Sequence, residues 1–200
     1  MTLGDDTQAA IDEAATAIEA GEAVVYPTET VYGLGADATD DEAVDRIFAI
    51  KDRPYHRPLS VAFPDRETAR QYTEPTERER DFMNQFLPGP VTVVVDRKPT
   101  LPDILTSGRS RVGVRIPAND VALALCRAAG PITATSANRS GQPSARLPDD
   151  LSASVREAVR VIIDTGQTPG TESTVVDIEA NKIHRRGAQV AEIEAWLADN

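Results

Sequence analysis

Cysteine is almost missing from this chain. Cys126 stands alone among 200 residues, which excludes an internal disulfide framework. No paired Cys/His spacing accompanies it, so the pattern of a structural zinc site is absent as well. Lysine is scarce too. Lys51, Lys98 and Lys182 are the only three of 21 basic residues, the other 18 being arginine. No apolar run approaches the length of a membrane span. The N-terminus, Met1 to Asp6, lacks the basic start and apolar core of a signal peptide, so a cytoplasmic protein without membrane contact is expected. The motifs G-x-x-x-x-G-K-[ST], H-E-x-x-H and G-x-S-x-G are all absent. A bound phosphate must therefore be held by side-chain cations and hydroxyls.

Acid is what the chain has in excess. The net charge is −11, with 32 acidic side chains against 21 basic ones. Such a surface keeps a protein soluble through self-repulsion, a device of salt-adapted proteins, and a salt-adapted source is expected. It disfavours a broad surface tracking nucleic-acid phosphates but permits a local basic pocket. The basic residues do gather: Lys51, Arg53 and Arg57; then Arg109, Arg111 and Arg115; then Arg185 and Arg186.

The chain length fits one domain, and 1–200 is read as a single catalytic domain. Periodicity predicts helices over 7–20, 41–50, 65–72, 76–86, 119–129, 149–159 and 190–197. Asp5, Asp6 or Thr7, Asp40 or Asp41, Thr76 and Asn119 are the capping residues expected for the first, second, fourth and fifth of these. Strands are predicted at 23–26, 59–63, 91–96, 111–116, 132–135 and 161–164, with 174–178 and 182–184 pairing as a hairpin. Residues 27–35 and 97–110 read as loops, the glycines at 33 and 35 supplying positive φ and close approach to a ligand. Helices and strands alternate irregularly, which predicts a mixed sheet.

Four polar clusters, each beside an apolar run, look like the walls of one cleft. They are Tyr26-Pro27-Thr28-Glu29-Thr30-Val31-Tyr32-Gly33, Lys51-Asp52-Arg53-Pro54, Ser136-Ala137-Asn138 and Glu172-Ser173-Thr174. Lys51 offers a phosphate a compact charge and Arg53 a planar fork; a solvated helix end is the plainer alternative. Ser136 and Asn138 could orient phosphate or ribose, or simply make a turn. Thr28 and Thr30 could face a small polar ligand or cap a strand end, and Ser173 has the same two readings. His56 and His184 lie too far apart in sequence to suggest a paired site.

In order and spacing these clusters resemble the YrdC/TsaC-like L-threonylcarbamoyladenylate synthases. The stretches that carry the resemblance are Pro27–Leu34, Lys51-x-Arg53-Pro54, Val112–Arg115, Ser136-x-Asn138 with Ser140-Gly141, and Glu172–Asp177, spanning about Ala9 to Gly187. The resemblance implies an α/β fold of the α+β type, a twisted mixed parallel and antiparallel sheet flanked by helices around a large concave basic cavity. It implies a nucleotidyltransferase that joins L-threonine, bicarbonate or CO2, and ATP into threonylcarbamoyl-AMP and pyrophosphate, for N6-threonylcarbamoyladenosine modification of tRNA. Lys51 and Arg53 would be catalytic. Thr28, Ser60, Arg115, Ala134 and Ser173 would surround threonine, with Arg115 on its carboxylate. Lys51, Arg53, Tyr55, Arg111, Ser136, Asn138, Ser144 and Arg185 would line the ATP site. Mg²⁺ would accompany ATP without a dedicated protein metal site. The downstream partner would be the tRNA threonylcarbamoyl transferase machinery, with a weak contact to tRNA. Arg111 stands where such proteins often have Thr, and Arg186 where they often have Pro. Two other readings compete: a carbamoyl-transfer domain, and a binding module for double-stranded RNA or tRNA. For Arg115 the plain alternative is a structural ion pair with an acidic neighbour such as Asp120.

The charge excess makes its own prediction. Salt screens mutual repulsion, with a Debye length of about 3 Å at 1 M. Activity and melting temperature should both rise from dilute buffer to molar KCl, and a scan in which neither changes would contradict this.

Overall fold

The computed structural model describes residues 3–200. The N-terminal helix α1 (Asp5–Glu19) buries Ile11, Ala14, Ala15 and Ile18, one face at helical spacing. It begins two residues before the predicted start, and Gly4 takes the capping position without a side-chain bond. Strand β1 (Val24–Tyr26) follows and pairs antiparallel with β2 (Gly33–Gly35), a strand within the predicted loop 27–35. Helix α2 (Asp41–Lys51) is capped by Asp40, whose carboxylate accepts from the amides of Glu42 and Ala43. Strand β3 (Ser60–Ala62) leads to α3 (Arg66–Tyr72) and α4 (Glu77–Phe86), the latter opened by a Thr76–Glu79 capping box. Then come β4 (Val91–Asp96), a four-residue helix α5 (Asp103–Thr106), β5 (Arg111–Arg115), α6 (Asp120–Ala129) capped by Asn119, and β6 (Ile132–Ser136). The predicted helix 149–159 is two pieces, a 3-10 turn at Pro148–Asp150 and α7 (Ala153–Ala158) capped by Ser152. The chain closes with β7 (Val161–Ile162), the β8 (Thr174–Asp177) and β9 (Lys182–Arg185) hairpin, and α8 (Val190–Asp199).

All nine strands join one sheet in the order β7-β1-β2-β6-β3-β5-β4-β8-β9. Three pairings are parallel (β1 with β7, β3 with β5, β4 with β8) and the others antiparallel, so the sheet is mixed as expected. Among the described residues no helix is long and apolar enough to cross a membrane.

Period-two alternation assigns the two faces. Val61, Val93, Val95, Val112, Val114 and Val176 point into the larger core, with Phe48, Phe82 and Trp196 from the helices. The opposite face is divided. At one end Val24, Tyr26, Ala62 and Ile132 pack beneath α1 and α6. Further along that face Ser60, Thr92, Val94, Arg111, Gly113, Arg115, Ala134 and Ser136 line a cavity.

Gly33 and Gly35 do not have the positive φ expected of them. They sit directly beside Tyr26, and a Cβ on Gly33 would lie 2.7 Å from its Cζ, one on Gly35 2.9 Å from its Cε1. Tyr26 is buried, so making room means displacing its ring within the interior. Gly33→Ala should therefore cost about 1–3 kcal/mol, the range for overpacking a filled interior, read as a lowered urea midpoint at unchanged slope. A midpoint equal to that of the parent protein would show that the ring can yield.

Candidate active site

The cavity has a volume of about 970 Å³, ample for a nucleotide with a small second substrate. Seven cations line it: Lys51, Arg53, Arg57, Arg109, Arg111, Arg115 and Arg185. Only two carboxylates, Glu172 and Asp177, do so. A chain of net charge −11 thus folds into a molecule with a locally cationic hollow, built to attract an anion. His56 and His184 reach this same cavity despite their distance in sequence.

Lys51 is the most constrained of these cations. It ends α2, and Asp52 after it takes the left-handed conformation (φ 48°, ψ 48°) that turns the chain out of the helix. Pro54 biases Arg53 away from the helical region, so the helix does not resume there. The Lys51 side chain is 2% exposed, and its Nζ donates to the carbonyls of Ser136 (2.5 Å) and Asn138 (2.6 Å). The backbone amide of Ser140 donates to the Lys51 carbonyl at 2.8 Å. An ammonium carries three hydrogens, so one remains for a ligand. Burial, with Arg53 nearby, pulls the Lys51 pKa down to about 7. Arg53 is held by the carbonyls of Arg57 and Pro58, each at 2.8 Å, and burial lowers its pKa too.

Ser136 donates through its hydroxyl to the side-chain oxygen of Asn138, whose amide nitrogen donates to the carbonyls of Arg139 and Gln142. The pair makes a turn, and that turn lines the cavity. Thr28 behaves similarly. Its hydroxyl donates to the Val31 carbonyl at 2.7 Å and accepts from the Thr30 amide at 3.1 Å, while the residue lines the wall. Arg185 donates to both the carbonyl and the hydroxyl of Ser173 and pairs with Glu172 at 3.2 Å. Ser60 and Thr92 flank Gly113 on the cavity floor. A Cβ there would lie 2.4 Å from the Ser60 hydroxyl.

Of the residues expected at the site, Lys51, Arg53, Thr28, Ser60, Arg115, Ala134, Ser173, Arg111, Ser136, Asn138 and Arg185 line this one cavity. Tyr55 and Ser144 do not. The Tyr55 ring is 56% exposed and packs on Phe48 on the flank of α2. Ser144 instead donates its hydroxyl to Glu172 at 2.6 Å. Arg111 is on the wall but already committed to Glu79, to Asp177 at 3.1 Å and to the Val94 carbonyl at 2.6 Å. Arg186 lies outside and pairs with Glu194. Arg115 does pair with an acidic residue, as the plain alternative expects, but the partner is Glu29, at 3.0 Å, and not Asp120. The Glu29 pairing and the contribution of Glu172 escaped the sequence reading, although both residues lie inside the polar clusters it singled out.

Comparison with known proteins decides the family. The Sua5/YciO/YrdC family model, described as "Telomere recombination", matches residues 16–187. The chain belongs to that family. A threonylcarbamoyl-AMP synthase of Pyrococcus abyssi is 40% identical over 168 residues, covering 82% of this chain and 49% of the relative. A threonylcarbamoyl-AMP synthase of Shigella boydii is 33% identical over 190 residues, covering 92% of this chain and 97% of the relative. The crystal structure of P. abyssi Sua5 complexed with L-threonine superposes with a TM-score of 0.84 at 38% identity, over 93% of this chain and 56% of that one. The chain thus spans about half the length of the Pyrococcus protein and nearly all of the Shigella one.

The Lys51 environment predicts proton-linked anion binding. An anion beside Nζ favours the ammonium and raises its pKa from about 7, so a proton is taken up between the free and bound pKa values. Affinity for pyrophosphate should fall as pH rises from 7, and calorimetry in buffers of different ionisation enthalpy should show proton uptake that Lys51→Met abolishes. Equal uptake in parent and variant would remove Lys51 from the anion's surroundings.

Proposed function

We propose that this protein is an L-threonylcarbamoyladenylate synthase, a nucleotidyltransferase that condenses L-threonine, bicarbonate or CO2, and ATP into threonylcarbamoyl-AMP and pyrophosphate. The observation that carries this reading is the cavity itself, where Lys51 and Arg53 share one hollow with the hydroxyls of Thr28, Ser60 and Ser173 and the buried guanidinium of Arg115. An anion pocket and an amino-acid pocket open into each other. The names of the Pyrococcus and Shigella relatives, and the threonine in the P. abyssi Sua5 structure, point the same way. Near-complete coverage of the Shigella relative supports reading the chain as one catalytic domain.

The chemistry follows from what these residues offer. The threonine amine attacks CO2, forming a C–N bond and releasing a proton, and a carbamate results. A carbamate oxygen then attacks the α-phosphorus of ATP, and the bond to the β-phosphate oxygen breaks to release pyrophosphate. No covalent enzyme intermediate is needed. Holding three reactants together can supply roughly 7–11 kcal/mol of the barrier in favourable cases. The third hydrogen of Lys51 and the Arg53 guanidinium supply charge where negative charge accumulates on the phosphoryl oxygens. Mg²⁺ would come with the triphosphate and withdraw charge from it. Among the described residues no group of three or more His, Cys, Asp or Glu gathers to hold a metal. Glu172 is the carboxylate beside Lys51 and Arg185 and would be the side chain to share that ion with ATP. The product would pass in the cytoplasm to the tRNA threonylcarbamoyl transferase machinery, with a weak contact to tRNA.

The test is pyrophosphate release that requires both threonine and bicarbonate, with the adenylate seen by mass spectrometry. Lys51→Ala and Arg53→Ala should each lower the rate by about a hundredfold, the scale of losing one charge-stabilising donor, while leaving the fold intact. Arg115→Lys keeps a cation but loses the fixed plane, so it should raise the threonine requirement with ATP binding little changed. Release of pyrophosphate without threonine, or full activity in both Ala variants, would overturn the proposal.

A further inference from the structure

Arg115 is the guanidinium on which the amino-acid pocket turns, and its hydrogens can be accounted for one by one. It has five N–H donors in a rigid fork. Nη2 donates to Glu29 Oε1 at 3.0 Å and to Thr30 Oγ1 at 2.9 Å, so both of its hydrogens are taken. Nε is buried and meets no acceptor among the described residues. Nη1 has no acceptor among them either, yet unlike Nε it is not buried, in a residue only 8% exposed that lines the cavity. A carboxylate in the cavity can therefore meet Arg115 through Nη1 alone.

Glu29 pays for this arrangement. Its side chain is 15% exposed, and its second oxygen, Oε2, is buried without a partner. Leaving such an oxygen unsatisfied costs stability, and an ion pair that served packing alone could be replaced by apolar side chains with little loss. The pair is also local to the site. Glu29 lies one residue from Thr28 and Thr30, both on the cavity wall, while Arg115 comes from the middle of the sheet.

We propose that Glu29 is a positioning residue of the amino-acid subsite: with Thr30 it occupies Nη2 of Arg115 and so fixes Nη1 as the point where the substrate carboxylate binds. It acts through Arg115 and need not touch the substrate. This inference rests on the proposed function, because it takes the carboxylate to be that of L-threonine.

The experiment is direct calorimetric titration of the full chain with L-threonine and, separately, with ATP. Three variants are compared with the parent protein: Glu29→Ala, Glu29→Gln and Thr30→Val. Glu29→Ala removes the acceptor and should weaken threonine binding about tenfold or more, the scale of a lost hydrogen bond to a charged group, with ATP affinity unchanged. Glu29→Gln keeps an oxygen at the same reach and should recover most of that loss. Thr30→Val removes the second acceptor and should weaken threonine alone, by a smaller factor; it also keeps the test informative if Glu29→Ala fails to fold. Unchanged threonine affinity in Glu29→Ala and Thr30→Val overturns the inference while leaving the proposed function standing. Parallel loss of both affinities with the melting temperature in the folded variants also overturns it, and makes the pair structural. A parent protein that binds ATP but not threonine removes the proposed function and this inference together.

Discussion

Side chains along a strand alternate between two faces, and everything at this site depends on that alternation. In β5 the sequence Arg-Val-Gly-Val-Arg puts two valines into the apolar core and two arginines with a glycine into the cavity. A shift of one residue would bury both guanidiniums in hydrocarbon and expose the valines. The same partition holds in β4, β8 and β3, and each is fixed by pairing with its neighbours. The apolar face therefore does more than stabilise the fold. Its register determines which polar atoms face inward on the other side.

Charge is organised on a second scale. The chain repels itself as a whole, yet its cavity concentrates cations, and burial brings several below their ordinary pKa values. Carboxylates temper this concentration one at a time. Glu29 faces Arg115, Glu172 faces Arg185, and Glu79 with Asp177 faces Arg111. Four cavity cations, Lys51, Arg53, Arg57 and Arg109, have no carboxylate partner among the described residues, and carbonyl oxygens hold Lys51, Arg53 and Arg109. A carbonyl orients a cation without cancelling its charge, which leaves these four open to an incoming phosphate.

Much of this was legible in the sequence because it is local. Asp40, Thr76 and Asn119 announce their helices through capping chemistry that needs only the next three residues. The valine-rich strands announce themselves by composition. What escaped was either too short or too distant. Strand β2 contributes one side chain, Leu34, between two glycines, so no alternation could show; its glycines answer to the Tyr26 ring rather than to a turn. Helix α5 is a single turn. The predicted helix over 149–159 divides at Leu151–Ser152, where Ser152 restarts it with its own cap. The Arg115–Glu29 pair joins residues 86 apart, and only the closed sheet brings them together. The polar clusters were visible as members of one cleft, but which of their atoms are already occupied is a property of the assembled wall.

The end of α2 and the segment from Ser136 to Ser140 are joined by three hydrogen bonds: two from the Lys51 ammonium and one from the Ser140 amide to the Lys51 carbonyl. They form a closed ring of contacts around one residue. Mechanically, the segment is a bracket bolted to the helix rather than a flap hinged beside it. Arg139, reaching back to Asp52 at 2.7 Å, adds a fourth fastening just outside. A ligand arriving at Lys51 thus meets a wall fastened to α2, the helix that carries Ile47 and Phe48 into the core.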